Sequence, residues 1–117
     1  GSAKIEELRT KHYFAIKNAI NDLKPYGYRA FLLHQGEADT DGTKREKYLA
    51  SLQQLIAQTR EDAGYNLNWC IAQVSYAWSN YNNTKKMESM KETQRAACND
   101  ETIFVGPTTD DLQGEYR

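Results

Sequence analysis

The chain has little of several features that define particular protein classes. Its two cysteines, Cys70 and Cys98, are too few for a disulfide framework, and their spacing fits no metal motif. The formal net charge is −1, so no overall positive field would attract phosphate backbones. Apolar runs such as Ala30 to Leu33 are far too short to cross a membrane. We therefore expect the chain to bind neither nucleic acid nor a membrane.

The remaining composition is typical of one folded globular domain. The chain has 117 residues, of which 39% are hydrophobic and 26% charged, and it contains eight tyrosines and two tryptophans. A chain of this length buries roughly two thirds of the surface that it exposes when unfolded. Disorder is therefore not expected in the body of the chain.

Three segments carry apolar residues at the three- and four-residue steps of a helix face. The first begins near Ile5, places His12 on its inner stripe and ends before Pro25. The second carries a stripe around Leu52 and stops at Gly64. The third, about 85–98, has only a thin apolar side.

Three short segments between or after these helices read as strands, at 28–33, 67–74 and 102–107. They are mostly apolar and do not alternate, which is typical of strands covered on both faces. Strands separated by helices predict a parallel sheet with right-handed crossovers. Sheets usually have about five or six strands, so three strands predict either part of a larger domain or self-association through open sheet edges.

Polar or turn-forming residues follow each predicted strand. His34-Gln35-Gly36-Glu37 follow the first strand, Ser75-Tyr76 the second and residues 106–111 the third. Ligands of open parallel sheets bind beyond the carboxyl ends of the strands. These residues are therefore candidates for a site, although plain strand-to-loop transitions give the same pattern.

The stretch LLHQGEAD resembles the H-Q-G-E-[SA]-D block of SGNH-type carbohydrate esterases, in the branch of sialate O-acetylesterases and acetylxylan esterases. GSAKIEEL and CIAQVSYA are similar to the blocks that precede and follow it in that branch. The resemblance implies a partial three-layer α/β fold of the SGNH-hydrolase (flavodoxin-like) type. It also implies hydrolysis of O-acetyl esters on an acetylated carbohydrate, with no cofactor or metal. Members of this branch are often exported, so the resemblance implies an exported protein.

The resemblance also implies roles for individual residues. Gln35 would donate an amide N–H to the oxyanion that forms during ester hydrolysis. Gly36 would allow a tight turn and a close approach to the substrate, and Glu37 would orient Gln35. The backbone N–H of Gly1 would also face the oxyanion, unless the initial GS is a cloning remnant.

Two blocks of that family have no counterpart in this sequence. The nucleophilic serine lies in a G-Q-S-N block near the start of the family's domain, and the general-base histidine lies in a D-x-x-H block near its end. The only histidines here are His12 and His34. We therefore expect residues 1–117 to be the central portion of one esterase domain and to be inactive alone.

Several other residues are candidates for weaker roles. Tyr76 and Trp78 could stack on sugar faces beside His34, or they could cover the core. His34 is also expected to pack beneath the site. A metal at His34 and Glu37 lacks further ligands.

The DTDG stretch at 39–42 resembles the start of a calcium loop. Its twelfth position is Ala50 instead of glutamate, so Asp39, Thr40 and Asp41 read as loop and helix-capping residues. The alternative to an esterase is a non-catalytic flavodoxin-like module that binds a partner or oligomerises.

Overall fold

The computed structural model describes residues 4–36, 39, 44–74 and 84–108 of the chain. In chain order the elements are α1 (Lys4–Thr10), α2 (Tyr13–Leu23), β1 (Ala30–Leu33), α3 (Arg45–Ala63), β2 (Asn68–Ile71), α4 (Thr84–Ala96) and β3 (Ile103–Val105). The predicted alternation of helices and strands is confirmed, and each strand is shorter than predicted. No helix in the described ranges is long and apolar enough to cross a bilayer.

The first predicted helix is two helices. The backbone N–H groups of Lys11 and His12 both donate to the Glu7 carbonyl, at 2.8 and 3.0 Å, which ends α1. His12 is exposed, so its predicted position on the inner stripe is wrong. Neither proline nor glycine marks this break, so the apolar spacing continues across it without a signal.

The strands form one parallel sheet in the order β1-β2-β3. Phe31 of β1 is in register with Trp69 of β2, which is in register with Ile103 of β3. The predicted parallel sheet is therefore confirmed. Successive crossovers of the same hand between strands in this order place their helices on one face of the sheet.

The core lies between that face and the helices, and α3 contacts each of the other three helices. The indole N–H of buried Trp69 donates to Thr59 Oγ1 at 3.1 Å, which ties β2 to α3. Leu32 and Phe104 point to the opposite face, where their side chains are 81% and 39% exposed. The expectation that the strands are covered on both faces is therefore wrong for this part of the fold.

A tyrosine–carboxylate pair fastens α2 to α3. The Tyr13 hydroxyl donates to Asp62 Oδ2 at 2.5 Å, and Gln58 Nε2 donates to the same oxygen at 3.3 Å. The bond from Tyr13 lowers the pKa of Asp62 because it favours the carboxylate. Burial, aided by the bond to Asp62, raises the pKa of Tyr13.

We expect Tyr13→Phe to return the pKa of Asp62 toward its ordinary value of about 3.9. A lowered pKa in the folded state means that the unfolded state binds more protons near pH 4, so this contribution to stability is present above that pH. The contribution is lost as the pH falls through the folded-state pKa of Asp62. Urea unfolding at several pH values should therefore show the variant less stable near neutral pH, with the difference disappearing in acid.

The matched control is Tyr26→Phe, because the Tyr26 side chain is 86% exposed. This control should unfold like the wild type throughout the pH range. A Tyr13→Phe variant whose stability deficit is the same at every pH would contradict the assignment.

Candidate functional site

The carboxyl ends of the three strands meet at one edge of the sheet, here called the carboxyl edge. Beyond the strand ends, the N–H of Ala72 donates to the Leu33 carbonyl at 2.9 Å, and that of Gly106 donates to the Ile71 carbonyl at 2.7 Å. The segments that leave the strands thus remain bonded to one another. The sequence prediction that the residues after the strands lie on one edge is confirmed for these segments.

Gln35 lies half-buried just after β1, with its side-chain amide held by a carboxylate. Its Nε2 donates to Asp39 Oδ2 at 2.7 Å. An amide nitrogen carries two N–H groups, so this bond uses one and leaves a second for another acceptor. The Oε1 atom of Gln35 is buried and has no hydrogen-bond partner in the described part of the chain. His34, in contrast, is exposed and does not pack into the core, and its predicted contact with the substrate stays a prediction.

Asp39 links Gln35 to the start of the chain's first helix. The carboxylate is only 1% exposed and accepts the backbone N–H groups of Lys4, at 2.7 Å, and Ile5, at 2.8 Å. These are free donors of the first turn of α1, where a negative charge is favourable. The capping role predicted for Asp39 is therefore confirmed, on a helix that precedes it in the chain.

Gly36 is buried, and its φ of +140° is a backbone conformation that residues with a side chain rarely adopt. A Cβ atom at this position would lie 2.5 Å from Val74 Cγ1, 2.8 Å from Gln94 Nε2 and 3.2 Å from the Tyr48 hydroxyl. The backbone at Gly36 therefore lies close to the protein's own side chains. Its predicted close approach to the substrate stays a prediction.

A buried polar cluster surrounds the main chain at Gln35. The Gln35 carbonyl accepts a bond from Gln94 Nε2 at 2.9 Å and another from the Tyr48 hydroxyl at 3.2 Å. Gln94 Nε2 also donates to the Tyr48 oxygen at 3.2 Å, and Gln94 Oε1 accepts the N–H of Val74 at 2.8 Å. One side chain from α4 therefore binds both the segment after β1 and the segment after β2.

Sequence reasoning missed Gln94 and the polar role of Tyr48. Tyr48 lies on the apolar stripe of α3, and the hydroxyl of a buried tyrosine usually finds a partner. The buried residues of α4, together with the residue just after it, follow helical spacing. They are Met90, Thr93, Gln94 and Ala97. A glutamine inside that stripe is the only sequence signal for this cluster.

Several other residues with predicted roles lie outside the described residues, and their roles stay predictions. They are Gly1, Glu37, Thr40, Asp41, Ser75, Tyr76, Trp78 and residues 109–111. Within the residues that the structure describes, no group of three or more His, Cys, Asp or Glu side chains could hold a metal ion.

A cavity of about 370 Å³ lies elsewhere, between the first two helices and α3. Its lining residues are Arg9, Tyr13, Gln54, Ala57, Gln58 and Glu61. None of them follows a strand or was predicted as a site residue. This cavity is therefore separate from the candidate site at the carboxyl edge.

The fold and this edge define an open parallel α/β protein with a candidate ligand site where its strands end. A family model described as carbohydrate esterase, sialic acid-specific acetylesterase, matches residues 1–115. Because that match covers nearly the whole sequence, the chain belongs to this family of carbohydrate esterases. No curated protein and no solved structure matches the chain. The resemblance and the partial α/β fold predicted from the sequence are both confirmed.

Proposed function

We propose that the full-length protein hydrolyses O-acetyl esters on sugars, and that residues 1–117 supply the oxyanion side of its active site. The family match over residues 1–115 supports the reaction class. The bond that fixes the Gln35 amide to buried Asp39 at the carboxyl edge supports the position of the site. This anchored amide is the single observation on which the proposed site depends.

In this proposal, a serine and a histidine from outside residues 1–117 perform the covalent chemistry. The serine oxygen attacks the acetyl carbonyl while the histidine takes its proton, and the carbonyl electron pair moves onto the oxygen. The sugar oxygen then leaves with that proton, and water hydrolyses the acyl-enzyme in the same way. Gln35 donates its second N–H to the negatively charged oxygen.

The position of Asp39 explains how Gln35 could act without reorganising. An oxyanion donor is effective when it is already aimed at the charge that develops in the transition state. The Asp39 carboxylate accepts one N–H of the Gln35 amide, so rotation of the amide would break a charge-assisted bond. The amide is therefore held in one orientation before the substrate arrives.

The test is an assay of acetate release by the full-length protein. A chromogenic acetyl ester reports general esterase activity, and an O-acetylated sugar followed by proton NMR reports the proposed substrate class. The 117-residue chain alone is the matched control, and we expect it to be inactive because it lacks the nucleophile block. If the full-length protein releases no acetate from either compound, the proposal fails and the non-catalytic binding module is favoured.

A further inference from the structure

Gln94 is buried in a way that packing alone does not require. Its side chain is 1% exposed and lies between the helices and the carboxyl edge. A methionine would fill a similar volume without the cost of burying a polar amide. The glutamine is stable there because its oxygen and both of its N–H groups have partners.

Two of those partners are main-chain groups that belong to different strands. Gln94 Nε2 binds the carbonyl of Gln35, just after β1, and Gln94 Oε1 binds the N–H of Val74, just after β2. Both segments leave their strands at the carboxyl edge, where the N–H of Ala72 still donates to the Leu33 carbonyl at 2.9 Å. The bonds from Gln94 add a second link between the two segments, further along the chain than that bond.

Gly36 completes the arrangement, because its missing side chain lets α4 approach. A Cβ on Gly36 would lie 2.8 Å from Gln94 Nε2, which is closer than real Cβ contacts allow. Gln35 is consequently fixed at two points. Asp39 holds the side-chain amide, and Gln94 together with Tyr48 holds the peptide carbonyl.

We propose that Gln94 is a positioning residue that fixes the Gln35 backbone so that its amide meets the oxyanion in the right place. This inference rests on the proposed function. Gln94 acts through Gln35, and misplacement of a reacting group by about 1 Å can cost about 100-fold in rate. The effect should therefore fall on kcat more than on KM.

The experiment compares variants of the full-length protein by acetyl-ester kinetics. Gln94→Met keeps the volume and removes all three hydrogen bonds, and we expect kcat to fall about 10- to 100-fold with little change in KM. Tyr48→Phe removes the longer of the two bonds to the Gln35 carbonyl, and its fall in kcat should be smaller. It also keeps the inference testable if Gln94→Met does not fold.

The matched control is Thr93→Val on the same helix. Thr93 is also fully buried, but its hydroxyl donates to the Ser89 carbonyl of α4 itself and not to the carboxyl edge. We expect this variant to keep the wild-type kcat. A loss of rate as large as that of Gln94→Met would mean that general destabilisation of α4 is responsible, and would overturn the positioning role.

A spectroscopic readout separates positioning from packing. In Gln94→Met, the side-chain NH₂ resonances of Gln35 should shift, and the Val74 amide proton should lose protection from exchange. Unchanged resonances, or an unchanged kcat, would overturn the inference. Failure of the proposed function is distinguishable, because the wild-type protein itself would then release no acetate.

Discussion

Replacing Gln35 with alanine is expected to lower kcat of the full-length protein by about 10²–10³-fold, the usual effect of removing one oxyanion donor. The alanine removes the amide that we propose bonds to the developing charge and that Asp39 holds in place at the carboxyl edge. Because the lost bond acts in the transition state, kcat and kcat/KM should fall together. Steady-state kinetics on a chromogenic acetyl ester measure both quantities.

The substitution also removes a donor from a buried carboxylate, so stability must be measured in parallel. Asp39 keeps its bonds from Lys4 and Ile5, and loss of the bond from Gln35 should cost about 1–3 kcal/mol. Assays well below the unfolding temperature separate this effect from catalysis.

The matched control is Gln73→Ala, which removes an amide from the segment after β2. Gln73 binds the Gly106 carbonyl and accepts from Arg95, so it has polar partners of its own. We expect this variant to change kcat little, because the side chain of Gln73 bonds to the Gly106 carbonyl and to Arg95, and its removal leaves the bond between the Gln35 amide and Asp39 in place. A Gln35→Ala protein with the rate of the wild type would remove Gln35 from the mechanism.

The second large effect is expected for Gly36→Ala, which should destabilise the fold by about 2–6 kcal/mol. One contribution is the backbone strain of a side chain at φ +140°, about 1–3 kcal/mol. The other is overpacking against Val74 and Gln94, again about 1–3 kcal/mol. Both neighbours are buried, so neither can move into solvent. Urea unfolding followed by circular dichroism gives the free-energy change.

Gly64→Ala separates the two contributions. Gly64 ends α3 with φ +84°, but no atom lies within 4 Å of the position of an added Cβ. Its replacement by alanine should therefore lower the free energy of unfolding only through backbone strain, by about 1–2 kcal/mol. Equal losses of stability for the two variants would show that crowding at Gly36 contributes nothing.

The sequence predicted those features that depend on neighbouring residues. The apolar segments around Phe31, Trp69 and Ile103 are strands of one parallel sheet, as their separation by helices predicted. Gly64 ends α3 with a left-handed backbone, as a glycine after a helix usually does. The break between α1 and α2 was missed because it depends on carbonyl bonding at Glu7 and not on a helix-breaking residue.

The contacts that hold Asp39 and the Gln35 carbonyl could not be predicted in the same way, because their partners are distant in the chain. Asp39 caps a helix whose first residue lies 35 positions earlier, and Gln94 lies 59 positions after the carbonyl that it binds. Helix periodicity marks Gln94 as facing inward but does not identify its partner. The HQGE block itself identified the segment after β1, through its resemblance to a family and not through its spacing.

The bonds that fix Gln35 also differ in when they become possible during synthesis. The first turn of α1 and the carboxylate of Asp39 are both made early, so the side-chain end of Gln35 has its partners soon after β1 leaves the ribosome. Its peptide carbonyl can gain the Tyr48 hydroxyl 13 residues later, but the shorter bond has to wait for Gln94, 59 residues later. Until α4 has emerged and docked, a nascent chain therefore contains the amide of its proposed oxyanion donor without the last of its main-chain support.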